Sequence, residues 1–110
     1  MSLYFLLTNL TPAGQQLLHD NHDLMVEAGR DIEVDGAEIL GQYAVLGKYD
    51  FIIMVEADDN DAVARLSLEI GVRVGLHIET LPAIAIGFLH EDPSDDPAWS
   101  LTSIQRPTEE

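Results

Sequence analysis

Residues 47–50, GKYD, and the run FIIMV that follows them at residues 51–55 decide the fold of this chain. The tetrapeptide has the glycine and polar residues of a short hairpin connection, and it joins two strand-like segments. The second segment is apolar at every position, so both of its faces need cover in a folded protein. One layer of helices covers one face of a sheet. The sequence therefore predicts a subunit that a second copy completes.

Strands and helical regions alternate on either side of this hairpin. Apolar, aromatic and β-branched residues predict four strands, at residues 3–8, 37–46, 50–57 and 77–86. A helical region begins at Thr11 and Pro12, which suit the N-cap and the first helical position, and extends to residue 34. The polar stretch 19–23 predicts a break within it. The acidic stretch 58–61 predicts the start of a second helix, because carboxylates cap exposed N–H groups.

This order predicts an α+β, ferredoxin-like βαββαβ domain over residues 1–86, with a four-stranded antiparallel sheet and two helices on one face. The first strand then lies between the third and the fourth. Gly41 predicts a bulge in the second strand, and Pro82 places the fourth strand at an edge. Residues 87–110 form an acidic, proline-containing C-terminal tail, in which Trp99 either anchors a surface loop or docks on a partner subunit.

Side-chain alternation along the strands predicts a second apolar face on the sheet. On the first strand we expect Leu3, Phe5 and Leu7 to face the helices, with Tyr4 and Thr8 on the opposite face. An apolar face as wide as a whole sheet exceeds the patch of a few hundred Å² that monomers usually expose. Burying about 800 Å² per partner is standard for a stable interface. The sequence therefore predicts a homodimer packed sheet to sheet, as in dimeric α+β barrels.

The charge of the chain is extreme. Twenty acidic residues and five basic residues give a formal net charge of −15 on 110 residues. Repulsion of this size destabilises the compact state in dilute buffer, whereas molar salt shortens the Debye length to about 3 Å. The composition therefore indicates a protein of a high-salt cytoplasm, with an ordinary acidic protein of low-salt conditions as the alternative.

The same composition argues against several partners and sites. Basic clusters, which nucleic acids and anionic membranes require, are absent from the sequence, so neither is expected as a partner. The chain has no cysteine, which excludes thiolate chemistry and disulfides. The first ten residues lack the basic region of a signal peptide, and no apolar run approaches 18 residues. A cytoplasmic location is expected.

Several short motifs together resemble the GYD-domain family. They are LGKYD at 46–50, VEADD at 55–59, Gly71, HIETL at 77–81 and the opening LTNLTPAG at 7–14. The resemblance covers residues 3–86. It implies a ferredoxin-like fold related to dimeric α+β barrels, and no particular activity. It also implies a basic residue, usually arginine, at the position of His77, so that any anion binding there would depend on pH in this chain.

The turn supplies two candidate site residues, Tyr49 and Asp50. Their structural interpretation is that Tyr49 packs its ring and hydrogen-bonds its hydroxyl, while Asp50 caps N–H groups of the turn. Their functional interpretation is a proton-donating pair at the mouth of a pocket. With His77 they are the candidate catalytic residues.

The second face of the sheet supplies three more candidates, Glu56, His77 and Glu79. A carboxylate beside an imidazole can act as general base and acid or bind a metal. The alternative is a solvated rim, paired with Arg73. Contact between the three is not assured, because the first strand lies between them. The predicted ligand-binding set is Tyr49, Asp50, Glu56, His77 and Glu79.

A metal site has only weak support. His19 and His22, three residues apart, share a helical face if the helix continues, and Asp23 could complete a ligand set. The acidic tail lacks calcium-loop spacing. We therefore expect no metal and no cofactor.

Three functions remain open. The first is a homodimeric regulatory or small-ligand-binding module, and the second is a cofactor-independent oxygenase or isomerase in which Tyr49, Asp50 or His77 moves protons. The third is a purely structural interaction protein. A deep pocket with a buried His77 or Asp50 favours the enzyme, and a pocket without titratable groups favours the binding module.

Overall fold

The computed structural model describes residues 1–86 of the chain. In chain order its elements are β1 (Ser2–Leu10), α1 (Pro12–Asp20), α2 (Leu24–Asp31), β2 (Ala37–Ala44), β3 (Phe51–Ala57), α3 (Asn60–Ile70), a π-helical turn (Gly71–Gly75) and β4 (Leu76–Ala83). The predicted acidic tail, with Trp99, lies outside the described residues.

The four strands form one antiparallel sheet in the order β2-β3-β1-β4. The prediction that the first strand lies between the third and the fourth is confirmed. The predicted bulge is also confirmed, since the pairing of β2 with β3 shifts register between Ile39 and Gly41. Pro82 lies near the end of edge strand β4, where a missing N–H costs least.

Within residues 1–86 the sheet carries three α-helices, and the prediction of two was wrong in number. The first helical region stops at Asp20 and restarts at Leu24, so the break predicted at residues 19–23 is present. The Asn21 side chain accepts a hydrogen bond from the Asp23 N–H at 3.1 Å. Such a side-chain turn offers the backbone an alternative to the helix and separates α1 from α2.

The helix starts follow the predicted capping residues. Thr11 Oγ1 accepts a hydrogen bond from the Gly14 N–H at 3.0 Å, and Asp59 Oδ1 accepts one from the Ala62 N–H at 2.9 Å. None of the helices within residues 1–86 is long and apolar enough to cross a membrane.

The helices pack on one face of the sheet and form the core with it. Leu6 and Val55 from the central strands are fully buried there, together with Leu66 of α3. The predicted facing of β1 was wrong, because Tyr4, Leu6 and Thr8 point to the helices. Their polar atoms have partners there, since the Tyr4 hydroxyl donates to Asn60 Oδ1 at 2.6 Å and the Thr8 hydroxyl donates to the Phe51 carbonyl at 3.0 Å.

Candidate functional site

The face of the sheet opposite the helices is apolar across its centre, and we call it the open face. Its apolar side chains alternate with the core positions on all four strands, and they are Leu3, Phe5, Leu7, Tyr43, Ile52, Met54, Leu81 and Ala83. None of them belongs to the helix-covered core. The second apolar face that the sequence predicts is therefore present. On β1 it consists of Leu3, Phe5 and Leu7, the set that the sequence analysis assigned to the helices.

The strand register arranges the open face in rows that cross all four strands. The central row consists of Gly41, Met54, Phe5 and Leu81. The next row, which we call the tyrosine row, consists of Tyr43, Ile52, Leu7 and Glu79. Apolar side chains occupy the two central strands in both rows. Polar groups lie only at the edges and ends of the face.

Asp50 fixes the GKYD turn to the end of β1. Its Oδ2 accepts a hydrogen bond from the Leu10 N–H at 2.8 Å, and its own N–H donates to the Thr8 carbonyl at 2.9 Å. The carboxylate thus satisfies a backbone donor where the pairing of β1 with β3 ends. This geometry matches the structural interpretation of Asp50, in which the carboxylate caps N–H groups.

Tyr49 reaches from the same turn across the end of β1 to β4. Its hydroxyl donates to Glu79 Oε1 at 3.0 Å, and Lys48 Nζ lies 5.7 Å from the centroid of its ring. The hydrogen bond to Glu79 raises the pKa of the Tyr49 phenol above its ordinary value, because the bond exists only while the phenol keeps its proton. Glu79 is exposed and Tyr49 is half-buried.

The remaining two candidates on this face lie at opposite ends. His77 is exposed and pairs in register with Asn9, beyond the tyrosine row. Glu56 pairs with Leu3 on one side and with Glu38 on the other. Leu3 and Leu7 are four residues apart, so Glu56 lies about 13 Å along the sheet from the row of Glu79. The structure brings Tyr49 and Glu79 into contact and leaves Glu56 apart from them.

Arg73 does not pair with these carboxylates. Its guanidinium donates to Asp31 Oδ2 at 3.2 Å, joining the π-helical turn to the end of α2. The pKa of Asp31 is lowered by this hydrogen bond first and by that from Arg30 second.

The two histidines proposed for a metal do not share a helical face, because α1 ends at Asp20. The rings of His19 and His22 meet edge to face with centroids 6.4 Å apart. Within residues 1–86 no three histidine, aspartate or glutamate side chains are grouped so that they could hold a metal ion.

A groove that the sequence does not predict lies between α2 and edge strand β2. It has a volume of about 420 Å³, and Met25, Val26, Leu40 and Tyr43 line it. A Cβ atom on Gly29 would overlap the end of the Gln42 side chain, so this glycine leaves room for the Gln42 amide, whose Nε2 donates to the Met25 carbonyl at 3.3 Å. Among its lining residues, all within the described part of the chain, there is no carboxylate, imidazole or cationic group.

A second groove lies at the opposite edge of the sheet, between α3 and β4. Its volume is about 500 Å³, and Leu68, Val72 and His77 are among its lining residues. His77 is the only candidate from the sequence that lines either of these two edge grooves of the described chain. The candidates do not converge on one cavity.

The chain matches the profile of the GYD domain over residues 4–87, and it belongs to the GYD domain family. It is 38% identical over 90 residues to the glutamine synthetase and cystathionine beta-lyase binding protein of Thermus thermophilus. That match covers 81% of this chain and 95% of the relative.

Two solved structures resemble the fold. A point mutant of Rv3291c superimposes with a TM-score of 0.56 at 13% identity, over 76% of this chain and 50% of that one. The leucine response regulatory protein LrpA of Mycobacterium tuberculosis gives a TM-score of 0.49 at 11% identity, with the same coverage of 76% and 50%. This chain spans about half the length of each, and the first likeness shows the fold alone.

Proposed function

We propose that this chain is a cytoplasmic, homodimeric regulatory module that binds other proteins. Residues 1–86 form the dimerising domain, and residues 87–110 form an acidic tail outside it. The observation that carries the proposal is the open face, where apolar side chains cross the width of the sheet without joining the helix-covered core. Such a face marks an interaction surface rather than a free surface.

The size of the open face suits a dimer of two copies. Four strands about 4.8 Å apart and seven residues at about 3.3 Å each give a flat area of about 440 Å². Side-chain relief and the flanking GKYD turn add to this area. The open face can therefore form the apolar centre of an interface for which about 800 Å² per partner is standard.

The grooves support binding more than catalysis. The groove beside β2 has no side chain that could act as an acid or base near neutral pH. Asp50, a candidate proton carrier, already caps the Leu10 N–H. The alternative function, a cofactor-independent oxygenase or isomerase, needs proton carriers gathered at one cavity. Of the three candidates, His77 lines the groove beside β4, and Tyr49 and Asp50 line neither edge groove of the described chain.

The relative from Thermus thermophilus supports a protein partner, since its name records binding to glutamine synthetase and cystathionine beta-lyase. We extend this class of partner to the present chain. The test is surface plasmon resonance with the two corresponding enzymes of the source organism, together with steady-state assays of both. We expect saturable binding of at least one enzyme and a change in its activity. An acidic protein of similar size and charge serves as the control.

Failure of both enzymes to bind, in low salt and in molar KCl alike, would contradict the protein-binding function. A direct effect of the chain on a small substrate, without either enzyme, would support the catalytic alternative instead.

The acidic composition supports a further part of the proposal, adaptation to high salt. At a net charge of −15, screening by molar KCl removes most of the self-repulsion. We expect the thermal midpoint to rise steeply between 0.1 M and 2 M KCl. A midpoint that is unchanged or that falls over this range would contradict the adaptation.

A further inference from the structure

We propose that the groove between α3 and edge strand β4 is a docking site for segment 98–101 of the same chain, which carries Trp99. The groove has a volume of about 500 Å³, which lies in the range of pockets that bind small ligands. The segment belongs to residues 87–110, outside the described residues. The inference does not rest on the proposed homodimer, since one chain contains both the groove and the segment.

The groove is an apolar surface that the described residues leave uncovered. Leu68 is 68% exposed and Val72 is 83% exposed, and both line it from α3 and the π-helical turn. Ile78 and Thr80 line it from β4. The Thr80 hydroxyl lies 3.0 Å from the Ser67 hydroxyl, so these two polar groups already pair with each other. The surface that remains for a partner is mainly apolar.

The lining of the groove also suits a segment of an acidic tail. His77 is the only ionisable group among the lining residues, all of which belong to the described part of the chain. A neighbouring groove, by contrast, is lined by Glu33 and Asp35. In a chain of net charge −15, a lining without carboxylates spares an acidic segment the repulsion of like charges at close range.

Segment 98–101 is an apolar stretch in a tail that holds six acidic residues, and Trp99 is the only tryptophan of the chain. A covered aromatic side chain buries about 150–250 Å². In an extended segment Trp99 and Leu101 lie on the same side, about 6.6 Å apart. This spacing matches the rise of about 6 Å between Leu68 and Val72, which are four residues apart along the helix and its turn. The two apolar pairs can therefore pack together.

The tail leaves the sheet beside this groove and is long enough to enter it. Strand β4 lies at an edge of the sheet and ends at Ala83. A return from residue 86 to the level of Ile78 requires about 26 Å. The chain between residue 86 and Trp99 spans up to about 43 Å when extended. It contains Pro93, a residue typical of turns.

The groove beside β2 is the competing site, and it lies at the far edge of the sheet. The strand order separates β4 from β2 by three strand spacings, about 14 Å. A tail that starts at β4 would have to cross the helix layer or the open face to reach it. A tethered segment has the higher effective concentration at a site within easy reach. The groove beside β4 is therefore favoured.

The inference is tested by the fluorescence of Trp99 in the full chain. In 2 M KCl, which screens repulsion between the tail and the acidic domain, we expect a blue-shifted emission and weak quenching by acrylamide. Val72→Asp places a carboxylate in the groove and should release Trp99. We expect its emission to shift to that of a solvated indole and its quenching constant to rise about threefold or more. Circular dichroism should stay native, because the replaced valine is exposed.

Val26→Asp is the matched control, since Val26 is 66% exposed and lines the groove beside β2. It should leave the emission and quenching of Trp99 unchanged. Release of Trp99 by Val26→Asp and not by Val72→Asp would place the segment beside β2 and overturn the inference. A solvated Trp99 in the unaltered chain would overturn it as well.

Dilution separates docking within one chain from docking on a second copy. We expect the quenching constant of Trp99 to stay the same at every protein concentration. A constant that rises on dilution, in step with a fall in mass by light scattering, would place the segment on another copy and overturn the inference. A monomeric mass with Trp99 protected would contradict the homodimer and leave this inference standing. The two failures are therefore distinguishable in one sample.

Discussion

Both faces of the sheet carry apolar side chains, and the two faces differ in whether the helices cover them. On the helix face, Leu6, Ile53 and Val55 have almost no exposed surface. On the open face, their sequence neighbours Leu7 and Ile52 remain partly exposed in a single subunit. Hydrophobicity alone does not distinguish the faces. The helix face is covered within one chain, and the open face is the surface that we propose a second copy covers.

A charge placed on either face gives the largest contrast. Ile53→Asp buries a carboxylate in the helix-covered core, and we expect it to unfold the subunit, since the penalty reaches several kcal/mol or about the whole stability of a small domain. Ile52→Asp places the same carboxylate on the open face and should yield a folded monomer. Circular dichroism and light scattering check the pair. A dimeric Ile52→Asp variant would contradict the role of the open face.

Truncating a leucine to alanine on each face gives the second-largest contrast. Leu6→Ala creates a cavity in the core and should lower the free energy of unfolding by about 2–5 kcal/mol at any protein concentration. Leu7→Ala removes the same group from the open face, so its cost should act through the dimer. Urea unfolding at several protein concentrations separates the two. An equal, concentration-independent loss in both variants would contradict the distinction.

The GKYD turn offers a smaller contrast, between a part-buried hydrogen bond and an exposed one. Asp50→Ala leaves the Leu10 N–H without its acceptor, and we expect a loss of about 1–3 kcal/mol in the free energy of unfolding. Tyr49→Phe removes an exposed hydrogen bond and should cost far less in the isolated subunit. Urea unfolding measures both losses when either change is made in the Ile52→Asp variant, which we expect to be a monomer. A larger loss from Tyr49→Phe would contradict the assignment of Asp50 as the residue that fixes the turn.

The smallest effect concerns pH. Because the folded-state pKa of Tyr49 is raised, the contribution of its bond to Glu79 is present below the ordinary phenol pKa of about 10 and is lost as pH rises through the raised value. NMR of the tyrosine Cζ carbons should show Tyr49 ionising above its ordinary pKa. Glu79→Gln should bring the midpoint down. A midpoint unaffected by this change would show that the carboxylate is not the cause.

The predictable part of the fold follows from local patterns. The apolar run at residues 51–55, the capping residues Thr11 and Asp59 and the polar break at 19–23 predicted the sheet, the helix starts and the division between α1 and α2. Each of these depends on residues close in sequence, so propensity and capping suffice to find it.

The parts that the sequence did not predict depend on distant residues. Both alternating sets on β1 contain apolar side chains, and the set that faces the helices has a partner distant in sequence, since the Tyr4 hydroxyl donates a hydrogen bond to Asn60, 56 residues away. The contact between Tyr49 and Glu79 likewise joins residues 30 apart. The groove beside β2 forms where Gly29 of α2 meets Gln42 of β2, and the sequence alone does not show that these two residues meet.

The homodimer is tested most directly by sedimentation equilibrium of the full chain in 2 M KCl, from micromolar to millimolar concentration, beside the Ile52→Asp variant. We expect twice the subunit mass for the natural chain and a folded species of one subunit mass for the variant. A natural chain that stays at one subunit mass throughout, with native circular dichroism and its open face accessible to solvent, would contradict it.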